Sequence, residues 1–129
     1  MSYQSVNPYD GKTLKTFEEL TDEQLETALE TAATCFETWR RTTFAKRATV
    51  VAKAAAIMRA RTDQFARLAT IEMGLLIAQA RSEVVLSADI TEYYAKNAER
   101  FLAPQDLKPS SGEAVIESSP IGVLFGVQP

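Results

Sequence analysis

Pro120-Ile121-Gly122-Val123-Leu124-Phe125-Gly126-Val127-Gln128-Pro129 is the most informative stretch of the sequence. From Ile121 to Val127 it holds no charge and shows no alternation of apolar with polar residues. A short apolar run rich in Val, Ile and Phe, opened by proline, reads as a strand buried on both faces. Such strands occupy parallel sheets that helices cover on both sides, so the expected class is α/β. A buried strand needs neighbours, and none follow here. The expectation is that these residues form the front of a larger α/β body. Left alone, such a strand is an aggregation site.

Working back from this run, Glu113–Ser118 partly alternates and reads as another strand, with Ser119-Pro120 as the turn between them. Residues 103–112 contain Pro104, Pro109 and Gly112 among small polar residues and read as a loop. Before it, four helices are expected. Thr21-Asp22-Glu23-Gln24 is a capping box, and Leu25, Ala28, Leu29, Ala32, Phe36 and Trp39 fall on one stripe ending near Arg40-Arg41. Thr43 caps a second helix to about Arg61, with Val51, Ala54, Ala55 and Met58 inward. Thr62-Asp63 opens a third, with Phe65, Leu68 and Ala69 inward, which Gly74 stops. The fourth runs from about Leu76 to Leu102, with Ala80, Val84, Ser87, Ile90, Tyr94 and Ala98 or Phe101 on one side. Residues 3–6 and 13–18 flank Asn7-Pro8-Tyr9-Asp10-Gly11, a pair of turn formers, and read as a hairpin.

Composition narrows the functional classes. The chain has 129 residues, 46% apolar and 24% charged, enough for one domain with its own core. A net charge of -3 with both signs interspersed offers no nucleic-acid surface. No basic start precedes an apolar stretch, and no window nears the roughly 20 apolar residues of a membrane span. A single cysteine, Cys35, suits a reducing compartment, so a cytoplasmic location is expected. Histidine is absent, which removes Ser–His and Cys–His pairs and His-based metal sites from this segment.

The residues themselves carry little chemistry. Cys35 lies beside the first stripe and reads as a buried, inert thiol, and Trp39 as core. Glu83, Asp89 and Glu92 share a helix with Arg81 and Lys96 and read as a solvated face, with Glu92–Lys96 an i,i+4 pair. Tyr93 and Tyr94 read as packing groups with wet tips. The glycines of Gly122-Val123-Leu124-Phe125-Gly126 stand in a strand rather than at a strand-to-helix turn, so no dinucleotide fingerprint is present. Glycine in a buried strand marks close approach by a backbone or a ligand, and the end of a parallel strand is where ligands gather.

In order and spacing these pieces resemble the N-terminal region of the aldehyde dehydrogenase superfamily. Val6-Asn7-Pro8-Tyr9-Asp10-Gly11-Lys12 is similar to the family's opening N-P-x-T-G turn. Phe36-Glu37-Thr38-Trp39-Arg40 and Ala45-Lys46-Arg47 look like its F-x-x-W and x-x-R-A segment. Glu72-Met73-Gly74 and Ala80-Arg81-Ser82-Glu83-Val84 resemble its E-x-G-K-P and E-A-x-x-E-V stretch, except that Leu75-Leu76 replaces Lys-Pro. Tyr93-Tyr94-Ala95 matches a Y-Y-A helix end, and Pro120-Ile121-Gly122-Val123 a P-x-G-V strand. Arg40–Arg47 and Tyr93–Glu99 look most like bacterial succinate-semialdehyde dehydrogenase relatives.

The resemblance implies NAD or NADP as cofactor, a small aldehyde as substrate and its carboxylic acid as product. It implies a homo-oligomer, dimer or tetramer, and as partner the remainder of a dehydrogenase chain. Residues 1–112 would be the hairpin and helical part of the cofactor-binding domain. Residues 113–119 would be a strand of the oligomerisation sheet, and 120–129 the incomplete start of a Rossmann-like sheet. The family's nucleophilic Cys, general-base Glu and oxyanion Asn all fall beyond Pro129, so no catalytic residue is assigned here. Val127, Gln128 and Pro129 match the strand end whose backbone borders the cofactor. Leu86 and Ile90 fall on the helix that walls the substrate tunnel in relatives, with core packing as the alternative role. The competing function is a non-catalytic helical module that associates with a full-length relative.

Overall fold

A computed structural model describes residues 3–127. Two antiparallel strands open the chain, β1 (Tyr3–Val6) and β2 (Thr13–Phe17). They pair from Tyr3↔Phe17 to Ser5↔Lys15, and the register shifts between Ser5 and Val6. The turn is built by its side chains: the Asn7 carboxamide oxygen accepts from the Tyr9 N–H at 3.0 Å, and the Asp10 carboxylate from the Lys12 N–H at 3.2 Å. Gly11 takes a left-handed φ of 68°, which a residue without Cβ adopts freely.

Four helices follow: α1 (Asp22–Trp39), α2 (Phe44–Ala60), α3 (Thr62–Met73) and α4 (Ile77–Phe101). The capping box at α1 forms in both directions. The Gln24 N–H donates to Thr21 Oγ1 at 3.2 Å, and the Thr21 N–H donates to Gln24 Oε1 at 2.9 Å. Thr43 caps α2 by accepting from the Lys46 N–H. One residue, Arg61, separates α2 from α3. Gly74 ends α3 at φ 74°, and its N–H donates to the Thr70 carbonyl at 3.0 Å.

The core is small and made of alanine. Ala55 of α2, Ala66 of α3, and Ala80 and Ala88 of α4 are fully buried. The most extensive packing joins α2 to α4, and α3 packs on α4 beside it. Alanine lets helix axes approach closely, and it favours helix intrinsically. Several expected inner positions lie outside this core. Ala54, Leu68, Ser87, Ile90, Tyr94 and Phe101 are exposed, because the covered line of α4 runs through Ala80, Val84, Ala88, Thr91, Ala95 and Ala98. The reading from periodicity favoured bulky side chains, and the packed seam uses small ones.

Three cross-helix ion pairs lie at the rim of this unit. Arg59 of α2 reaches Asp89 at 2.8 Å and Glu92 at 2.7 Å on α4, and Arg81 of α4 reaches Asp63 of α3 at 2.7 Å. The expected Glu92–Lys96 pair is present at 2.9 Å. Hydrogen bonds from Lys96 and Arg59 hold the Glu92 carboxyl below its ordinary value of 4.5, and the Arg59 guanidinium is correspondingly raised above its usual range by Asp89 and Glu92. A depressed carboxylate pKa contributes stability that is fully present above pH 4.5 and is lost as pH falls through the folded-state value. The raised Arg59 value acts only at strongly alkaline pH. Wild type should therefore exceed Glu92→Gln in stability at neutral pH, and urea titrations should show that gap closing below pH 4.5. A gap that stays constant on acidification would rule this out.

The C-terminal third corrects two expectations. The stretch 103–112 is not all loop: β3 (Gln105–Leu107) pairs antiparallel with β4 (Ala114–Ile116), in register from Gln105↔Ile116 to Leu107↔Ala114. β4 lies within the expected 113–119 strand. The stretch Ile121–Val127 forms no strand in the structure. Ile121 is fully exposed and Phe125 is 85% exposed. A strand exists by pairing, and no other strand lies beside these residues among those described. The α/β class holds, with four helices and two small strand pairs.

Candidate functional site

Val127, Gln128 and Pro129 are the expected cofactor-bordering residues. Gln128 and Pro129 lie outside the described residues. Val127 is 78% exposed, at the end of the unpaired stretch. Nucleotide cradles are built from a glycine-rich turn and a helix N-terminus at a strand end. Neither stands beside Val127 among the described residues, where no helix follows it. No chemical step is derived from Val127.

Leu86 and Ile90 do not join the core of the described residues. Both lie half exposed on α4. Leu86 lines a shallow depression with Arg81, Ser82, Val85 and Asp89. A second depression, near the start of α4, is lined by Leu75, Ala78, Gln79, Ser82 and Glu83. The charged groups of the first are already engaged, Arg81 with Asp63 and Asp89 with Arg59. The Ser82 hydroxyl donates back to the Ala78 carbonyl at 3.2 Å. What remains free there is an apolar surface.

Cys35 is exposed, not buried, because α1 shares no extended contact surface with another element. Trp39 is 38% exposed for the same reason. Tyr93, Tyr94 and Phe101 form an aromatic cluster at the end of α4. The centroids of Tyr93 and Tyr94 are 5.6 Å apart, and those of Tyr93 and Phe101 5.9 Å. This agrees with packing groups whose tips stay wet. No cluster of three His, Cys, Asp or Glu side chains suited to a metal ion occurs among the described residues. No helix among them is long and apolar enough to cross a membrane. Sequence reasoning missed the Arg59 and Arg81 cross-helix pairs. Their partners are 30 and 18 residues away, and only the packing of α2, α3 and α4 brings them together.

The family model described as "Aldehyde dehydrogenase family" matches residues 1–129. A succinate-semialdehyde dehydrogenase (NADP+) of Deinococcus radiodurans is 38% identical over 127 residues, which are 98% of this chain and 27% of that protein. A succinate-semialdehyde dehydrogenase (NADP+) 1 of Mycobacterium bovis is 37% identical, with 100% of this chain and 29% of that protein covered. A solved structure of succinic semialdehyde dehydrogenase from Streptococcus pyogenes, in complex with NADP+ as the cofactor, superposes with a TM-score of 0.83 at 37% identity. It covers 88% of this chain and 25% of that one. The chain thus spans under a third of the length of the curated relatives it matches.

Proposed function

We propose that this chain, which belongs to the aldehyde dehydrogenase family, forms the N-terminal part of an NADP+-dependent enzyme that oxidises succinate semialdehyde to its acid. The observation that carries the reading is the 38% identity to a succinate-semialdehyde dehydrogenase (NADP+) across 98% of the chain. The names of the relatives favour NADP+ over NAD+, a choice the residues of this segment leave open. The cofactor accepts hydride, and the acyl-transfer residues come from parts of the enzyme outside this segment.

In this reading residues 1–112 are the hairpin and helical cover of the cofactor domain. Residues 113–119 join an oligomerisation sheet, and 120–129 begin the Rossmann-like sheet. The β3–β4 hairpin, with both outer edges unpaired among the described residues, supports the second assignment. The exposed apolar side chains of Ile121, Leu124 and Phe125 support the third. The enzyme is a cytoplasmic homo-oligomer, dimer or tetramer.

The test is a chimera in which this chain replaces the matched 127 residues of the Deinococcus relative. It should fold and reduce NADP+ with succinate semialdehyde, whereas the 129-residue chain alone should give no aldehyde-dependent NADPH. A chimera that fails to fold, or one that folds and is silent on succinate semialdehyde, counts against the reading. So does turnover by the chain alone.

A further inference from the structure

We propose that the corner between α2 and α3 is a joint made by one side chain: the Thr62 hydroxyl takes the place of backbone N–H groups in the helix ladder and breaks an otherwise continuous helix over residues 44–73. No local stop signal ends α2. From Phe44 to Met73 there is neither glycine nor proline. Arg61, the one residue between the helices, keeps a negative φ of -116°, unlike Gly74 at the end of α3. α3 has no side-chain cap, whereas Thr21 and Thr43 cap α1 and α2. Met58, Arg59, Ala60 and Arg61 all favour helix. A helix that breaks without proline or glycine needs a side chain or a water in its ladder.

The ladder holds as far as the Arg61 N–H, which donates to the Ile57 carbonyl at 3.0 Å. It resumes where the Phe65 N–H donates to the Arg61 carbonyl at 3.1 Å. Between them the Thr62 hydroxyl bridges two carbonyls, Met58 at 3.2 Å and Arg59 at 2.9 Å. In an unbroken helix those carbonyls accept from the N–H groups of residues 62 and 63. Back-bonding to one carbonyl does not break a helix. Thr49, Thr70 and Thr91 each donate four residues back, and their helices run on. Thr62 also reaches three residues back, as Thr38 does at the end of α1. The cross-helix ion pairs use the break. In one straight helix Arg59 and Asp63 would stand about 6 Å apart on one face. Their partners Asp89 and Arg81 are about 12 Å apart along α4. The corner spreads Arg59 and Asp63 so that each meets its partner.

The experiment is amide hydrogen exchange, read residue by residue, in the 129-residue chain and in two variants. Thr62→Val keeps the branched shape and removes the hydroxyl, and Thr62→Ser keeps the hydroxyl. In the wild type the amides at positions 62–64 should exchange faster than those inside α2. In Thr62→Val they should slow by roughly tenfold or more relative to their intrinsic rates as the ladder closes. The Cα chemical shift of Arg61 should move to a helical value in the same variant. Thr62→Ser should behave as the wild type. Unchanged exchange in Thr62→Val would overturn the joint, and so would Thr62→Ser behaving like Thr62→Val. Protection at 62–64 in the wild type equal to that inside α2 would mean that the ladder is not broken. Loss of protection throughout α2 and α3 in Thr62→Val would show that the hydroxyl holds the helices together rather than dividing them, and would overturn it too.

Discussion

Ala88→Leu should lower the stability of the chain by about 1–3 kcal/mol, the usual cost of forcing extra methylenes into a packed seam. Ala88 has no exposed surface, and its helix makes the most extensive packing in the molecule, against α2. The distance between two helix axes is set by the side chains between them. Leucine at this point must push α4 off its neighbours or take an unfavourable rotamer. For a chain of this size each kcal/mol moves the thermal midpoint by roughly 3–6 °C. Ala54→Leu is the control. Ala54 is an exposed alanine of α2, so the same chemistry there should stay within about 0.5 kcal/mol. Urea unfolding with unchanged slope would report both values. Equal losses at the two sites would mean that the seam does not run through Ala88.

That pair of alanines also marks where the sequence was legible and where it was not. Periodicity located the helices closely, since caps are local: Thr21, Thr43 and Gly74 act through hydrogen bonds within a few residues. Inner faces were harder. Ala54 and Leu68 satisfied the expected stripes and are exposed, while Ala66 and Ala88 were passed over and are buried. A stripe records hydrophobic spacing and not which positions a neighbour covers. The stripe of α1 is well formed and uncovered among the described residues.

Ile121–Val127 was read from composition as a buried strand, and the apolar character is real. A strand exists only by pairing, and no partner strand lies beside it among the described residues. β3 was missed for the opposite reason. Gln105-Asp106-Leu107 has weak strand character and is drawn into pairing by Ala114–Ile116. The candidate site was legible only as a resemblance, because Val127 alone of the three expected residues is described and nothing encloses it.

Gly74→Ala should cost about 2–3 kcal/mol and loosen the β1–β2 hairpin from the helices. Two effects combine at this glycine. Its φ of 74° lies in the left-handed region, where a Cβ costs roughly 1–2 kcal/mol. An added Cβ would also meet Pro8 Cγ at 3.1 Å, inside the ordinary carbon–carbon separation of about 3.5–4.0 Å. Pro8 is a ring fixed in the hairpin turn, so it cannot swing aside, and the turn itself must move. Beside it the Ser5 hydroxyl donates to Glu72 Oε1 at 3.0 Å, an exposed hydrogen bond that resists little. Gly11→Ala separates the two effects. Gly11 has nearly the same φ, 68°, and nothing within 4 Å of an added Cβ, so it should show the backbone cost of about 1–2 kcal/mol alone. Adding Pro8→Ala to Gly74→Ala should recover part of the difference. Amide exchange in Tyr3–Val6 should accelerate in Gly74→Ala as the hairpin lifts. Equal destabilisation by Gly74→Ala and Gly11→Ala, with no rescue by Pro8→Ala, would mean that the hairpin does not rest on the end of α3.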